Sequence, residues 1–173
     1  KERILEYLAV RKLKNDTKLL IDSIFRSVEV KARIVEQDEK EVSIRAILNF
    51  GHTLGHFLET YTKYETYLHG EALIAGMDFA NWWSHERGII PEDSYKIINQ
   101  HLVSLNYTIE LPLITKEIFT DITSRDKKAE QAGVKFIGLI DIGRAQVIPD
   151  VSVESLWEDF NKYLKKEDCL IKI

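Results

Sequence analysis

The sequence predicts a mainly α-helical domain that carries one small β-hairpin. Apolar residues recur at spacings of three and four through most of the 173 residues, which is typical of amphipathic helices. Near the C-terminal end, two segments rich in β-branched and aromatic residues flank a short turn that contains glycine, which is typical of a hairpin. Composition does not shift sharply along the chain and no repeat is visible. We therefore expect a single domain over residues 1–173.

The first half of the chain predicts four helices. Residues 1–14 have helical spacing of apolar side chains among many charges. An Asn-Asp-Thr break then caps a long amphipathic helix over about 17–37. A third helical segment is predicted over 42–61 and a fourth over 68–87, which Gly88 ends. The fourth segment is apolar nearly all round and rich in small residues, so we expect it to be a central buried helix.

The second half predicts three further helices and the hairpin. A proline followed by two acidic residues begins a helix over about 91–105. A threonine caps a short helix over 115–122, and a serine caps the last helix over 152–165. Between these two helices, strand-like segments at 134–140 and 145–148 are separated by an Asp-Ile-Gly-Arg turn. This pattern predicts the hairpin.

Charge and cysteine content exclude several classes of protein. The 24 basic residues against 28 acidic residues give a net charge of -4, which supplies no broad basic face, so nucleic acid is not expected as a partner. The single cysteine, Cys169, can form no internal disulfide, which suits the reducing cytoplasm. No apolar run approaches the roughly 18 residues of a membrane span, and the first residues contain no signal-peptide core. We expect a soluble, cytoplasmic protein without a membrane partner.

Five polar residues form a narrow stripe on the predicted third helix. On a helical wheel, Glu41, Arg45, Asn49, His52 and His56 lie within about 80° of one another. The opposite side of this helix is a thick apolar wall, which indicates that the helix packs on a core. The ordinary interpretation of such a stripe is a solvated face. However, solvated faces are usually filled with lysine, glutamate and glutamine, because these residues favour helix more than asparagine and histidine do.

Glycine and histidine spacing on the same segment favours a functional site. Gly51 and Gly55 each cost a helix about 1 kcal/mol relative to alanine, so the pair predicts close approach of another backbone. His52 and His56 lie four residues apart and could chelate a transition metal. The sequence HTLGH lacks the glutamate of the HExxH motif, so peptide hydrolysis is not predicted. His69 begins the next helix and could join them, although a plain loop residue is its ordinary interpretation.

A short cationic cluster follows the predicted helix at 115–122. Arg125, Lys127 and Lys128 surround a single aspartate. Such a cluster can bind a phosphate or carboxylate group, and the ordinary alternative is a solvated loop. Lys31, on the outward side of the second helix, is uninformative by itself.

Three motifs resemble a known family. LNFGHTLGH at 48–56, LHGEALIAGM at 68–77 and RDKK at 125–128 occur in this order and precede a hairpin. Together they resemble the C-terminal domain of the 3-dehydroquinate synthase family, from about residue 28 to residue 148. The resemblance implies the helical domain of a lyase of the shikimate pathway. That enzyme converts 3-deoxy-D-arabino-heptulosonate 7-phosphate, a phosphorylated sugar acid, to 3-dehydroquinate and phosphate.

The resemblance also implies cofactors and missing parts. NAD⁺ transiently oxidises one ring hydroxyl, which acidifies the neighbouring C–H for phosphate elimination; reduction, ring opening and aldol closure follow. Zn²⁺ or Co²⁺ polarises the reacting oxygens. Family members carry an upstream NAD-binding α/β domain and an upstream glutamate that is the third zinc ligand, and neither is in this sequence. We therefore expect the chain to be inactive alone, and we expect the parent enzyme to be a homodimer.

Individual residues take their implied roles from the same resemblance. His52 and His69 correspond to zinc ligands, and His56 to a residue that takes part in proton transfer or phosphate binding. The other implied contacts to the anionic polyol are Lys31, Glu41, Arg45, Asn49, Lys127 and Lys128. The resemblance also implies that four of these residues are catalytic: Lys31, Arg45, Asn49 and His56. Either lysine of the RDKK motif could bind an anionic group, and the NAD site is not assigned.

Three other classes of protein stay open from the sequence. A related sugar-phosphate cyclase, such as an inosose or valiolone synthase, would share the zinc pattern. The pairing of Arg45 with Asn49, together with RDKK, favours a substrate that bears a carboxylate. A metal-dependent alcohol dehydrogenase would have helical histidine pairs but not the HGE and RDKK motifs together. A non-enzymatic helical interaction module would need none of these motifs.

Overall fold

The computed structural model describes residues 17–40, 43–125 and 133–173. The chain divides into two compact units, residues 1–49 and residues 50–173. The first predicted helix, at 1–14, lies outside the described residues. The expectation of a single domain stays a prediction.

The described residues of the first unit, 17–40 and 43–49, form one long helix and one short one. Helix α1 runs over Thr17–Gln37, as predicted, and a 3-10 helix runs over Ile44–Asn49. Between them, the carboxylate of Asp38 is buried and accepts hydrogen bonds from the backbone N–H groups of Ser43 (2.7 Å) and Arg45 (3.0 Å). This carboxylate therefore satisfies amides at the start of the 3-10 helix that have no partner within it.

The predicted continuous helix over 42–61 is wrong. The 3-10 helix ends at Asn49, and a separate α-helix, α2, begins at His52 and ends at Tyr61. Gly51 lies between them with φ of 79°, a left-handed conformation that a right-handed helix cannot contain. A Cβ atom at Gly51 would also lie 2.7 Å from Cγ of Met77. The backbone conformation of Gly51 breaks the helix, and the position of Met77 leaves no room for a side chain at residue 51.

Five α-helices lie in the part of the second unit that the structure describes. The helices predicted at 68–87, 91–105, 115–122 and 152–165 are confirmed, with ends that differ by one to three residues. The five helices are α2, α3 (His69–Glu86), α4 (Glu92–Val103), α5 (Lys116–Arg125) and α6 (Val153–Tyr163). Among the described residues, no helix combines the length and apolarity needed to cross a lipid bilayer.

Two small sheets complete the described part of the second unit. The predicted hairpin is confirmed and is longer than expected: β2 (Val134–Asp141) pairs with β3 (Arg144–Val151) in antiparallel register. Gly143 supplies the positive φ, 74°, of the turn. A second sheet, which the sequence analysis did not predict, joins β1 (Ile109–Glu110) to β4 (Ile171–Lys172) in parallel.

Helix α3 is the centre of the core of the second unit, as predicted. Every residue over 72–84 is buried. The rings of Trp83 and Phe136, from α3 and β2, have centroids 4.4 Å apart. Leu54 and Leu58 of α2 are buried against the same core. Packing on all sides of residues 72–84 fixes the position of α3. The first turn of α3, which begins at His69, is therefore attached to a rigid part of the molecule.

Candidate functional site

Three histidine rings meet where α2 and α3 begin. His52 is the first residue of α2, His56 lies one turn further on, and His69 is the first residue of α3. The ring centroids are 5.2 Å apart for His52 and His56, 5.5 Å for His52 and His69, and 6.3 Å for His56 and His69. The structure thus brings together all three histidines that the motifs singled out.

Glycines at the crossing of α2 and α3 allow this approach. A Cβ atom at Gly76 of α3 would lie 2.0 Å from the carbonyl oxygen of Gly51 and 2.9 Å from the amide nitrogen of Gly55. A Cβ atom at Gly55 would lie 2.8 Å from Cδ2 of Leu73. At Gly76 the neighbouring atoms belong to the backbone of α2 and its N-cap and cannot move aside, so the absence of a side chain lets the two backbones touch. The predicted close approach of another backbone to this glycine pair is confirmed.

Two of the histidines have Nδ1 engaged by an oxygen atom. Nδ1 of His52 lies 3.2 Å from the carbonyl oxygen of Phe50, and Nδ1 of His69 lies 2.9 Å from Oε1 of Glu59. A carbonyl oxygen and an ionised carboxylate can only accept, so Nδ1 is the donor in both hydrogen bonds. In a neutral imidazole this arrangement puts the lone pair on Nε2, which is the atom that commonly binds a metal.

The donor set fits part of a metal site. Two imidazoles bound to one zinc ion at about 2.0–2.1 Å have ring centroids roughly 5–6 Å apart, which the separation of His52 and His69 matches. Within the described ranges, no group of three or more His, Cys, Asp or Glu side chains is arranged to hold a metal ion. The residues therefore suit two positions of a zinc or cobalt site and leave the remaining positions to other ligands.

Glu59 is a polar residue of this cluster that the sequence analysis missed. It lies on α2 seven residues after His52 and three after His56, so the three side chains share one face of the helix. Its side chain is only 8% exposed, whereas that of His69 is 53% exposed. A wheel begun at His52 and continued to the end of α2 would have included it.

The other sequence-predicted site residues belong to different parts of the chain. Lys31 is exposed on α1, and Asn49 is exposed at the end of the 3-10 helix. Arg45 donates from Nη1 to the carbonyl oxygen of Glu39 at 2.6 Å. All of these residues lie in the first unit, whereas the histidines lie in the second.

Three predicted substrate contacts, Glu41, Lys127 and Lys128, lie outside the described residues. The helical wheel that put Glu41, Arg45 and Asn49 on one stripe with the histidines assumed a continuous helix. Because the chain breaks at Gly51, that geometric argument for a shared stripe fails, and these residues keep only the role that the motifs imply.

Comparisons with known proteins identify relatives of the chain. A family model described as 3-dehydroquinate synthase C-terminal matches residues 2–129. The 3-dehydroquinate synthase of Geobacter sp. (strain M21) is 41% identical over 133 residues, which are 77% of this chain and 37% of that protein. The 3-dehydroquinate synthase of Sulfurovum sp. (strain NBC37-1) is 38% identical over 162 residues, which are 94% of this chain and 46% of that protein. The chain thus spans less than half the length of these curated relatives.

Solved structures share the fold. The 2-epi-5-epi-valiolone synthase from Streptomyces hygroscopicus subsp. jinggangensis 5008, with NAD⁺ and Zn²⁺ bound, matches with a TM-score of 0.70 at 18% identity, over 93% of this chain and 45% of that chain. A 2-deoxy-scyllo-inosose synthase complexed with carbaglucose-6-phosphate, NAD⁺ and Co²⁺ matches with a TM-score of 0.66 at 20% identity, over 84% of this chain and 41% of that chain. The chain therefore shares its fold with the corresponding part of these two synthases.

Proposed function

Because the chain belongs to the 3-dehydroquinate synthase C-terminal family, we propose that it is the metal- and substrate-binding part of a 3-dehydroquinate synthase. The reaction is the conversion of 3-deoxy-D-arabino-heptulosonate 7-phosphate to 3-dehydroquinate and phosphate. The observation that supports it best is the meeting of His52, His56 and His69 at a glycine-lined crossing of two helices. These residues lie in two of the three motifs that the resemblance rests on, LNFGHTLGH and LHGEALIAGM.

His52 and His69 would hold the metal ion, either Zn²⁺ or Co²⁺. Their Nδ1 hydrogen bonds support this role, since each bond keeps the lone pair on Nε2. The two fold relatives described above contain one or other of these ions together with NAD⁺. When bound, the ion would act as a Lewis acid on a substrate oxygen. A third protein ligand would come from the part of the relatives that this chain does not cover.

The remaining residues would bind the substrate and move its protons. His56 is close enough to both proposed ligands to transfer a proton to or from a substrate held there, or to bind its phosphate. Arg45 and Asn49 would contact carboxylate and hydroxyl groups. Lys31 and Glu41 would share this role, and Lys127 or Lys128 would bind an anionic group. No motif of this chain fits a dinucleotide, so the NAD⁺ site belongs to the uncovered part of the relatives.

Paired substitutions in the enzyme that contains this chain test the proposal. His52→Ala should lose both metal and turnover, because a metal ligand is removed. Arg45→Ala should keep the metal and lower kcat/KM roughly 10- to 150-fold, since a lost charge-assisted hydrogen bond costs about 1.5–3 kcal/mol. Arg33→Ala, which removes an exposed arginine of the same unit, is the matched control and should change neither. Metal retained by the His52 variant and lost from the Arg45 variant would reverse the two assignments.

A substrate panel separates the alternatives. The curated relatives described above, at 38–41% identity, are 3-dehydroquinate synthases, whereas the valiolone and inosose synthases share the fold at lower identity. Phosphate release from the phosphorylated sugar acid, with NAD⁺ supplied, supports the main proposal. Turnover of a sugar phosphate that has no carboxylate, in place of the sugar acid, would point to another cyclase. No turnover of either, with metal bound, would favour a non-enzymatic interaction module.

Assembly and location are also part of the proposal. We expect the parent enzyme to be a homodimer, which light scattering of the purified enzyme would measure. We expect it in the cytoplasm, which cell fractionation would check. A monomer that turns over the substrate at full rate would remove the dimer from the proposal.

A further inference from the structure

A buried carboxylate lies beneath an exposed imidazole at the edge of the histidine cluster. The side chain of Glu59 is 8% exposed and that of His69 is 53% exposed, and they are joined by a hydrogen bond of 2.9 Å from Nδ1 to Oε1. The rings of His52 and His56 also lie close to that of His69, but the carboxylate is the group that engages its Nδ1.

The contact joins two helices at the point where the cluster is built. Glu59 lies on the face of α2 that carries His52 and His56, and His69 is the first residue of α3. The side chain of Glu59 thus reaches from the second half of α2 to the start of α3, across the loop that connects them. The backbone carbonyl of Glu59 serves a separate purpose, since it accepts from the N–H of Tyr64 at 2.8 Å.

We propose that Glu59 is a positioning residue for His69. By accepting the Nδ1 proton, its carboxylate sets the orientation of the ring, keeps the lone pair on Nε2 and raises the basicity of that nitrogen toward a divalent transition metal. The inference rests on the proposed function, because it takes His69 to be a metal ligand. It assigns to Glu59 no contact with substrate or metal.

A purely structural role would predict a different result. Pairs between a buried carboxylate and an exposed partner contribute little to stability, and an apolar side chain of similar volume often serves as well. If Glu59 only held α2 and α3 together, its replacement by methionine would change the stability of the chain but not its affinity for a metal ion. If Glu59 positions His69, the same substitution changes the protonated nitrogen of His69 and also weakens metal binding.

Nitrogen NMR of the ¹⁵N-labelled chain, without metal and at a pH where histidine is neutral, tests this directly. In the unaltered chain and in Glu59→Gln, whose amide oxygen still accepts, His69 should carry its proton on Nδ1. In Glu59→Met it should shift toward the Nε2–H form that free imidazole prefers in water. His52 should not change in any variant, because its acceptor is the carbonyl of Phe50.

A Co²⁺ titration of the enzyme that contains this chain supplies the second readout. In that enzyme, Glu59→Met should bind Co²⁺ about 10- to 100-fold more weakly than the unaltered enzyme, and Glu59→Gln should fall between them. Glu65→Gln, which neutralises an exposed glutamate of the following loop, is the matched control and should change neither readout. Thermal unfolding checks that each variant is folded, and Glu59→Leu replaces the methionine variant if that variant is not.

The outcomes separate this inference from the proposed function. If His69→Ala weakens Co²⁺ binding while Glu59→Met changes neither the tautomer nor the affinity, the positioning role is overturned and the metal site stands. If His69→Ala leaves Co²⁺ binding unchanged, His69 is not a ligand and both fail. A shifted tautomer together with weaker binding in Glu59→Met supports the inference.

Discussion

Single glycines set the distance between α2 and α3, and so the position of every histidine in the cluster. Gly76 faces the carbonyl oxygen of Gly51, and a Cβ atom there would come within 2.0 Å of it. Backbone atoms cannot move aside as the end of a flexible side chain can, so this contact tolerates no larger residue. The site depends on residues that carry no functional group.

We predict that Gly76→Ala destabilises the chain by about 3 kcal/mol, at the upper end of the usual cost of overpacking. Alanine favours helix more than glycine does, so any loss must come from the contact with α2. Urea unfolding would measure it, and the histidine NMR signals would report the widened crossing.

Gly88→Ala is the control for this substitution. No atom lies within 4 Å of a Cβ at Gly88, but its φ is 63°, so the cost there is conformational and about 1–2 kcal/mol. A Gly76→Ala variant no less stable than Gly88→Ala would contradict the steric argument.

At the scale of elements, a buried carboxylate connects α3 to α6 and to the segment that follows it. Asp78 of α3 is fully buried, and its Oδ2 accepts from the hydroxyl of Tyr163 at 2.6 Å. Nζ of Lys166 lies 3.5 Å from Oδ1. Burial raises the pKa of Asp78, and this outweighs the charge of Lys166 and the hydrogen bonds from Tyr163 and Lys166, which act to lower it.

This raised pKa predicts how stability changes with pH. The folded chain binds the Asp78 proton more tightly than the unfolded chain, whose carboxyl has its ordinary pKa near 3.8. The stabilisation from this carboxyl is therefore fully present below that pH and is lost as pH rises through the folded value. The free energy of unfolding of the unaltered chain, minus that of Asp78→Asn, should fall as pH rises across this range. Urea unfolding at a series of pH values would measure it.

Asp168→Asn is the matched control. It also replaces an aspartate by asparagine, but its effect on stability should change with pH in the opposite direction. Partial burial acts to raise the pKa of Asp168, but hydrogen bonds from Asn99 and Lys166, with the charge of Lys166, bring the pKa below its ordinary value. The free energy of unfolding of the unaltered chain, minus that of Asp168→Asn, should therefore fall as pH drops through the pKa of Asp168 in the folded chain. An Asp78 difference that is constant or rises with pH would contradict the argument.

At the scale of the whole molecule, the metal site proposed for this chain needs more protein ligands than the chain provides. His52 and His69 offer two ligands, and catalytic zinc in proteins usually has three protein ligands and one open position. Metal affinity is therefore the property in which the chain and its longer relatives should differ most.

We predict that Zn²⁺ binds this chain weakly in a calorimetric titration, and that His52→Ala and His69→Ala each remove the binding that remains. His101→Ala, which removes an exposed histidine of α4, is the control and should leave the heat of zinc binding unchanged. Tight binding of one zinc ion per chain would contradict the need for a further ligand from outside it.

Helix and hairpin positions could be predicted because their signals are local. Apolar periodicity and the residues Thr17, Pro91 and Ser152 marked helices whose observed ends lie within a few positions of the expected ones. The break at Gly51 could not be found in this way, since periodicity alone does not distinguish a continuous helix from two short ones. The positive φ of Gly51 makes the break, and Met77, 26 positions along the chain, leaves no room for a side chain there.

The sequence by itself determined the helical class, the hairpin, the glycine pair at a close backbone approach and the histidines that motif spacing singled out. Only the tertiary structure decided that all three rings meet, that Glu59 accepts from His69, and that Ile109 pairs with Ile171. The physical reason is range: periodicity and capping act within a few residues, where neighbours along the chain are neighbours in space. Pairings between residues 10 to 62 positions apart depend instead on how the elements pack.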